Sequence, residues 1–160
     1  MKVWMGHAGI GNKITVNNLA TAKIDAAIPT KLDENAAPID IVFSNSGSTG
    51  YYIVALPFPY VDGIQGTMLI YDADGLTLKS TLPLSVNPTA LLMAPDGLTA
   101  YIIGNGKVVY YDLLSGTVDL TVAFPAVSST PWIHPAGNHI FILQSFPTYA
   151  IFVFDVPHAR

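Results

Sequence analysis

A unit of about forty residues recurs along this chain, and that recurrence constrains the fold more than any other feature. Its first anchor is an apolar-x-apolar-x-Asp/Asn pattern, found as "ITVNN" (14–18), "MLIYD" (68–72), "VVYYD" (108–112) and "IFVFD" (151–155). Six residues beyond the terminal Asp or Asn come Ile24, Leu78 and Val118, and ten beyond come Ile28, Leu82 and Val122. The second anchor is a turn glycine, Gly47, Gly97 or Gly137, followed four residues later by Tyr51, Tyr101 or Phe141. Gly97 to Gly137 and Asp72 to Asp112 are each 40 residues. "VWMGH" (3–7) aligns with "YIIGN" (101–105), which carries the repeat to the first residues.

Within each unit the apolar runs are four to seven residues long and rich in Ile, Val, Tyr and Phe. Such runs are too short for helices, and no segment offers a ten-residue stripe at helical period. Turn formers separate them: "PDG", "NGK", "LSG" and "ADG". Pro and Asp preset the turn, and Gly supplies the positive φ without steric cost. The unit is therefore an antiparallel meander of four strands, A to D, with the period of a β-propeller blade. In the best copy A is 89–94, B 100–104, C 107–112 and D 117–124. One such sheet cannot bury both faces, so copies must stack.

The expected fold is all-β: an arc of about four propeller blades, two complete and two three-stranded. Residues 1–160 form one segment, with strands B–D at 2–30, full blades at 38–84 and 88–124, and strands A–C at 128–156. Strand A is missing from the first unit and strand D from the last. The expectation is an arc from a larger propeller of about six to eight blades. A half-ring that pairs with a second copy is the competing arrangement.

Composition removes several function classes. Half the residues are apolar and 11% are charged, against about 25% in an average domain, which excludes a disordered tail. Net charge is -4, with six Lys and one Arg, so no basic stripe exists for nucleic acid. Cysteine is absent, which removes disulfides, thiolate metal sites and cysteine nucleophiles. No apolar run approaches the ~20 residues of a membrane helix. The first residues show no continuous apolar stretch of a signal peptide.

Length variation is concentrated in the B–C and D–A connections, which share one face of the blades. From Met5 to Ile14 is 9 residues, from Ile53 to Met68 is 15, from Ile103 to Val108 is 5, and from Leu143 to Ile151 is 8. Long loops cost little stability and carry function more often than tight turns. The insertion "LPFPYVDGIQG" (56–66) brings Phe58, Tyr60, Asp62 and Gln65 to that face. The neighbouring loops add His7, Phe146 and Tyr149, and this set is the candidate ligand or partner face.

The remaining polar motifs read as structure. Asn18, Asp72, Asp112 and Asp155 stand before tight turns, where an Asx side chain accepts backbone N–H groups two residues on. "DADG" (72–75) imitates a calcium loop, but its twelfth position is Pro83. "GHAGIGNK" (6–13) lacks the Gly-Lys-Ser/Thr ending and precedes a strand, so it is no phosphate loop. His7, His134, His139 and His158 show no metal-ligand spacing, and neither metal nor cofactor is expected. His134 aligns with Ala94 and Ser44 at the end of strand A, which makes it a candidate lining residue of a central channel. No nucleophile elbow exists, and Glu34 is the only Glu, so no catalytic residues are assigned.

The repeat resembles the YVTN family of β-propellers, whose unit runs roughly "SPDG…YVTN…VxVID…TG…V…I". "APDGLTAYIIGN" (94–105), "KVVYYDLLSGTV" (107–118), "VWMGH" and "NKITVNNLATAKIDAAIP" (12–29) carry the likeness, with "HPAG" (134–137) in place of "SPDG". The resemblance implies an extracellular or periplasmic setting. It also implies roles ranging from surface-layer recognition to lactonase-like enzymes and amine-dehydrogenase-like subunits. The expected function is a non-enzymatic recognition or scaffold module, with an unidentified protein or small molecule bound on the long-loop face. The alternative is the propeller subunit of a quinoprotein amine dehydrogenase-like or lactonase-like enzyme.

Overall fold

The computed structural model describes residues 1–7, 13–29, 37–44, 49–55, 65–104, 106–124, 131–134, 136–144 and 148–155. Every regular element among them is a strand. The first sheet holds β1 (Lys2–His7), β2 (Lys13–Asn18) and β3 (Lys23–Pro29). The second holds β4 (Ala37–Phe43), β5 (Thr49–Ala55), β6 (Gly66–Asp72) and β7 (Thr77–Leu84). The third holds β8 (Pro88–Met93), β9 (Thr99–Gly104), β10 (Lys107–Asp112) and β11 (Thr117–Ala123). The fourth holds β12 (Pro131–Ile133), β13 (His139–Gln144) and β14 (Ala150–Asp155). Within each sheet every strand pairs antiparallel with its neighbour in sequence, as short turns between consecutive apolar runs require.

The core lies in the seams between sheets. Strand side chains alternate in direction, so β6 sends Met68 and Ile70 one way and Leu69 and Tyr71 the other. Met68 and Ile70 pack with Leu91, Ile102, Val109 and Tyr111 of the third sheet. Leu69 and Tyr71 pack with Ile14, Val16 and Ile28 of the first. On the third sheet, Tyr101, Ile103, Val108 and Tyr110 meet Ile140 and Ile142 of the fourth, with Phe152 and Phe154 against them. Strands covered on both faces lose their polar/apolar alternation, which is why β6 and β10 are buried almost end to end. The blades stack face to face into a partial β-propeller.

Two irregularities repeat from sheet to sheet. In the outermost strands β3, β7 and β11, the register skips one residue at the same place, leaving Asp25, Lys79 and Asp119 unopposed. A charged bulge on an edge strand twists and guards the edge against pairing with other chains. In the innermost strands the skip falls at Ile39 of β4 and Thr89 of β8, each following a proline. There the proline sits at the strand end, where a missing N–H is tolerated.

Register corrects one alignment made from sequence. Trp4 lies opposite Val16, as Tyr51 lies opposite Ile70, Tyr101 opposite Tyr110 and Phe141 opposite Val153. Trp4, rather than Val3, is thus the counterpart of Tyr101, and Gly6 matches Ile103 instead of Gly104. Similarity of "MGH" to "IGN" pulled the alignment one residue out, and a one-residue slip reverses the face of every side chain. The structure places Trp4 correctly in the seam, edge-on to Tyr71 at 6.4 Å and to Phe43 at 5.6 Å.

The turns carry a second correction. Gly97, Gly106, Gly116 and Gly137 have positive φ, as expected of turn glycines, but Gly75 does not take that role. In the C–D turns the left-handed position is the fourth residue after the Asx cap: Ala22 (φ 53°), Leu76 (φ 54°) and Gly116 (φ 71°). Only the third blade fills it with the residue that adopts it without strain.

Candidate functional site

The B–C turns leave β1, β5, β9 and β13 at His7, Ala55, Gly104 and Gln144 and re-enter at Lys13, Gly66, Lys107 and Ala150. Antiparallel order puts all these ends on one face of the blades. The Gln65 N–H donates to the Leu84 carbonyl at 3.0 Å, so the end of the long insertion touches the start of the D–A link. Both irregular loop classes therefore open on the same side, because strands B and D run the same way.

Of the candidate face, His7 is the last residue of β1, opposite Lys13, and Gln65 stands immediately before β6. Tyr149 precedes β14 with its side chain 88% exposed. Phe58, Tyr60, Asp62 and Phe146 lie outside the described residues. His7, Gln65 and Tyr149 thus stand at the same strand ends of the first, second and fourth sheets.

On the opposite face every described C–D turn is tied by its Asx residue. The Asn18 Oδ1 accepts the Ala20 N–H at 3.0 Å. The Asp72 Oδ1 accepts from Asp74 at 3.0 Å and Gly75 at 2.7 Å. The Asp112 Oδ1 accepts from Leu114 at 2.7 Å and Ser115 at 2.8 Å. The Gly75 N–H, helped by the Lys79 ammonium 3.4 Å away, holds the Asp72 carboxyl below its ordinary range, against an opposing desolvation. The N–H groups of Ser115 and Leu114 do the same for Asp112. A carboxylate stabilised in its ionised form and engaged by its own turn is a poor general acid or base.

His134 directly follows the fourth blade's innermost strand, exposed, with its Nδ1 accepting the Ala136 N–H at 3.1 Å. The His139 Nδ1 lies 3.0 Å from the Asp155 Oδ1, and the two imidazoles stand 6.3 Å apart between centroids. His134 therefore serves its own turn as the Asx residues serve theirs. Among the described residues no group of three His, Asp or Glu side chains could hold a metal ion.

Sequence reasoning missed Asp40, the polar residue that joins two blades. Its Oδ1 accepts the Ile41 N–H at 2.9 Å and its Oδ2 accepts the Leu91 N–H of the next blade at 3.0 Å. The available signal was a lone charge inside the apolar run "PIDIV". Two grooves open at the outer rim on the short-turn side. One, of about 450 Å³, lies between Ile28 and Leu76, and the other, of about 350 Å³, between Ser80 and Ser115. They occupy equivalent places between successive blades, which marks them as products of the repeat.

No protein-family model and no curated relative matches the chain. Among solved structures, hydrazine synthase from Kuenenia stuttgartiensis, a β-propeller-containing protein, is similar over 97% of this chain, with TM-score 0.75 and 15% identity. The chain spans 55% of the length of that chain. The likeness, together with the stacked antiparallel sheets, fixes the architecture as an arc of a β-propeller. No helix among the described residues is long and apolar enough to cross a membrane.

Proposed function

We propose that this chain is a non-enzymatic recognition or scaffold module of YVTN β-propeller type. It binds a protein or small-molecule ligand through the face that carries the long B–C and D–A loops. The observation that carries this reading is the use of the repeated polar groups. Asn18, Asp72, Asp112 and His134 each hold a tight turn on the opposite face, so the chemistry the repeat supplies is structural. On the long-loop rim Tyr149 is 88% exposed. Exposed aromatics on loops held by a rigid scaffold favour recognition, since they offer large contact area at low entropic cost.

An activity screen of the protein with amines and lactones tests this reading against an enzymatic one. No turnover is expected. Turnover that disappears in His134→Ala, with the fold intact by circular dichroism, would overturn it. Replacing Phe58, Tyr60 and Tyr149 with Ser should leave stability within about 0.5 kcal/mol, as surface substitutions do. A loss above ~2 kcal/mol would mean that these aromatics are packed rather than presented.

A further inference from the structure

The turns of this repeat recruit Asp and Gly side by side, and that pair is prone to a spontaneous rearrangement. The glycine nitrogen attacks the Asp side-chain carbon, water leaves and a succinimide ring forms. Water then reopens the ring at either carbonyl, giving back Asp or an isoaspartate whose main chain runs through the former side chain. Glycine favours the attack because it has no Cβ to hinder it. The chain holds three such pairs, Asp62–Gly63, Asp74–Gly75 and Asp96–Gly97, the first of them outside the described residues.

Asp74 and Gly75 form the exposed tip of the turn between β6 and β7. Attack requires the Gly75 peptide plane to turn until its nitrogen faces the Asp74 Cγ, and requires that nitrogen to give up its proton. Asp72 opposes both steps. Its Oδ1 accepts the Gly75 N–H at 2.7 Å and the Asp74 N–H at 3.0 Å, which fixes the peptide planes on either side of Asp74. The negative charge strengthens those bonds and repels the anionic nitrogen that loss of the proton would create. Lys79, 3.4 Å from the other carboxylate oxygen, helps to keep Asp72 ionised. Asp96–Gly97 is restrained by a different acceptor. There the Gly97 N–H donates to the Ala94 carbonyl at 2.9 Å, and the Asp96 Oδ1 accepts the Leu98 N–H at 2.9 Å. The two turns thus carry the same labile pair under independent restraints.

We infer that Asp74 is a latent modification site, convertible to isoaspartate by its own backbone, and that the Asp72 carboxylate keeps it closed in the folded protein. No outside reagent is needed: the water expelled on ring closure is returned on ring opening, and no electrons change hands. Conversion adds one carbon to the main chain of a turn whose next residue, Leu76, already sits at φ 54° and packs against the seam between the first two sheets. The site therefore couples chemical ageing of one turn to the packing of two blades. The equivalent residues are Ala20 and Thr21 in the first blade and Leu114 and Ser115 in the third, so among the described C–D turns this chemistry belongs to the second blade. The inference does not depend on whether the long-loop face binds a ligand.

Peptide mapping with isoaspartate-specific methylation, after weeks of incubation at about pH 6, tests it; that pH leaves a small neutral fraction of exposed carboxyls able to lose water. Isoaspartate at position 74 should form roughly tenfold or more slowly in the folded protein than in the same protein held unfolded in urea, since a charge-assisted bond must open first. Asp72→Ala should bring Asp74 towards its unfolded rate while Asp96 stays slow, because the restraint at Gly97 is a backbone carbonyl. If Asp96 quickens as well, the variant has loosened throughout and Asp72→Asn is read in its place. Its neutral acceptor holds the Gly75 N–H less tightly, so there Asp74 alone should quicken several-fold. Asp74 reacting in the folded parent at its unfolded rate would overturn the proposal. A rate in the variant that is read no higher than the parent's would overturn it too, and a lower one would make Asp72 the base that draws off the Gly75 proton.

Discussion

The carboxylate of Asp40 in β4 reaches across a sequence separation of 51 residues to accept the backbone N–H of Leu91 in β8 at 3.0 Å. Leu91 is 1% exposed and belongs to the innermost strand of its blade, which has no further strand on that side. Asp40 therefore supplies the acceptor that a missing strand would otherwise provide, and it ties the second and third blades together at the hub. Asp40→Ala should cost about 1–3 kcal/mol by stranding a buried donor, whereas Asp40→Asn, which keeps one of the two acceptor oxygens, should cost less. Urea denaturation of the two variants checks this ordering. A loss below about 0.5 kcal/mol in Asp40→Ala would show that the hydrogen bond is not what matters.

Gly137 combines a φ of 73° with close approach to its neighbour: a Cβ there would sit 2.8 Å from the Pro95 Cδ in the adjacent blade's turn. Both the backbone and the contact exclude a side chain. Gly137→Ala is expected to lose about 2 kcal/mol or more, the sum of left-handed strain and overpacking. A thermal midpoint unchanged from the parent would refute this reading of the turn.

Ala22 is the opposite case, an exposed residue held at φ 53° in a turn whose third-blade counterpart is Gly116. Ala22→Gly removes the strain but adds freedom to the unfolded chain, for a net gain of about 0.5–1 kcal/mol. Leu76→Gly should not show that gain, because Leu76 also packs against the seam between the first two sheets. Comparing the urea midpoints of the two variants separates strain from packing.

Acid should loosen the C–D turns. Backbone N–H donors lower the carboxyls of Asp72 and Asp112 below the ordinary value of 3.8. For a depressed folded pKa, the stabilisation is complete above the unfolded value and disappears as pH falls through the folded one. Stability should therefore be insensitive to these groups above about pH 5 and decline below about pH 4. Asp72→Asn with Asp112→Asn should flatten that decline in pH-dependent denaturation; an unchanged slope would count against it.

Alkali should act through a buried phenol. Burial, followed by the nearby Asp96 charge, pushes Tyr101 up to about 12 from 10.0. A raised folded pKa gives stability that is complete below the unfolded value and lost as pH rises through the folded one. Stability should start to fall near pH 10, and Tyr101→Phe should reduce the fall. Absorbance titration of the phenols, compared with the unfolding curve, checks the coupling.

The architecture was legible in the sequence because each strand and turn is a local event. Apolar runs of four to seven residues, punctuated by Asx and Gly residues at fixed offsets, admit little except short antiparallel strands. The forty-residue period then required stacking, since one such sheet cannot bury both its faces. The caps at Asn18, Asp72 and Asp112 were equally readable, because an Asx residue bonds to donors only two or three residues away.

What the sequence did not reveal were relations set by packing between blades. The register of β1 depends on which face meets the next sheet, so a local likeness between glycines misplaced Trp4 by one residue. The bond from Asp40 to Leu91 joins residues that only stacking makes neighbours. The left-handed strain at Ala22 and Leu76 is imposed by the bulged strand pair that each turn must close, whatever residue stands there. The contrast between a covered Val108 and an uncovered Ile151 follows from position in the stack, since both residues read alike along the chain. Local chemistry selects the strand and its turn; which face is buried, and against what, is decided where one sheet meets the next.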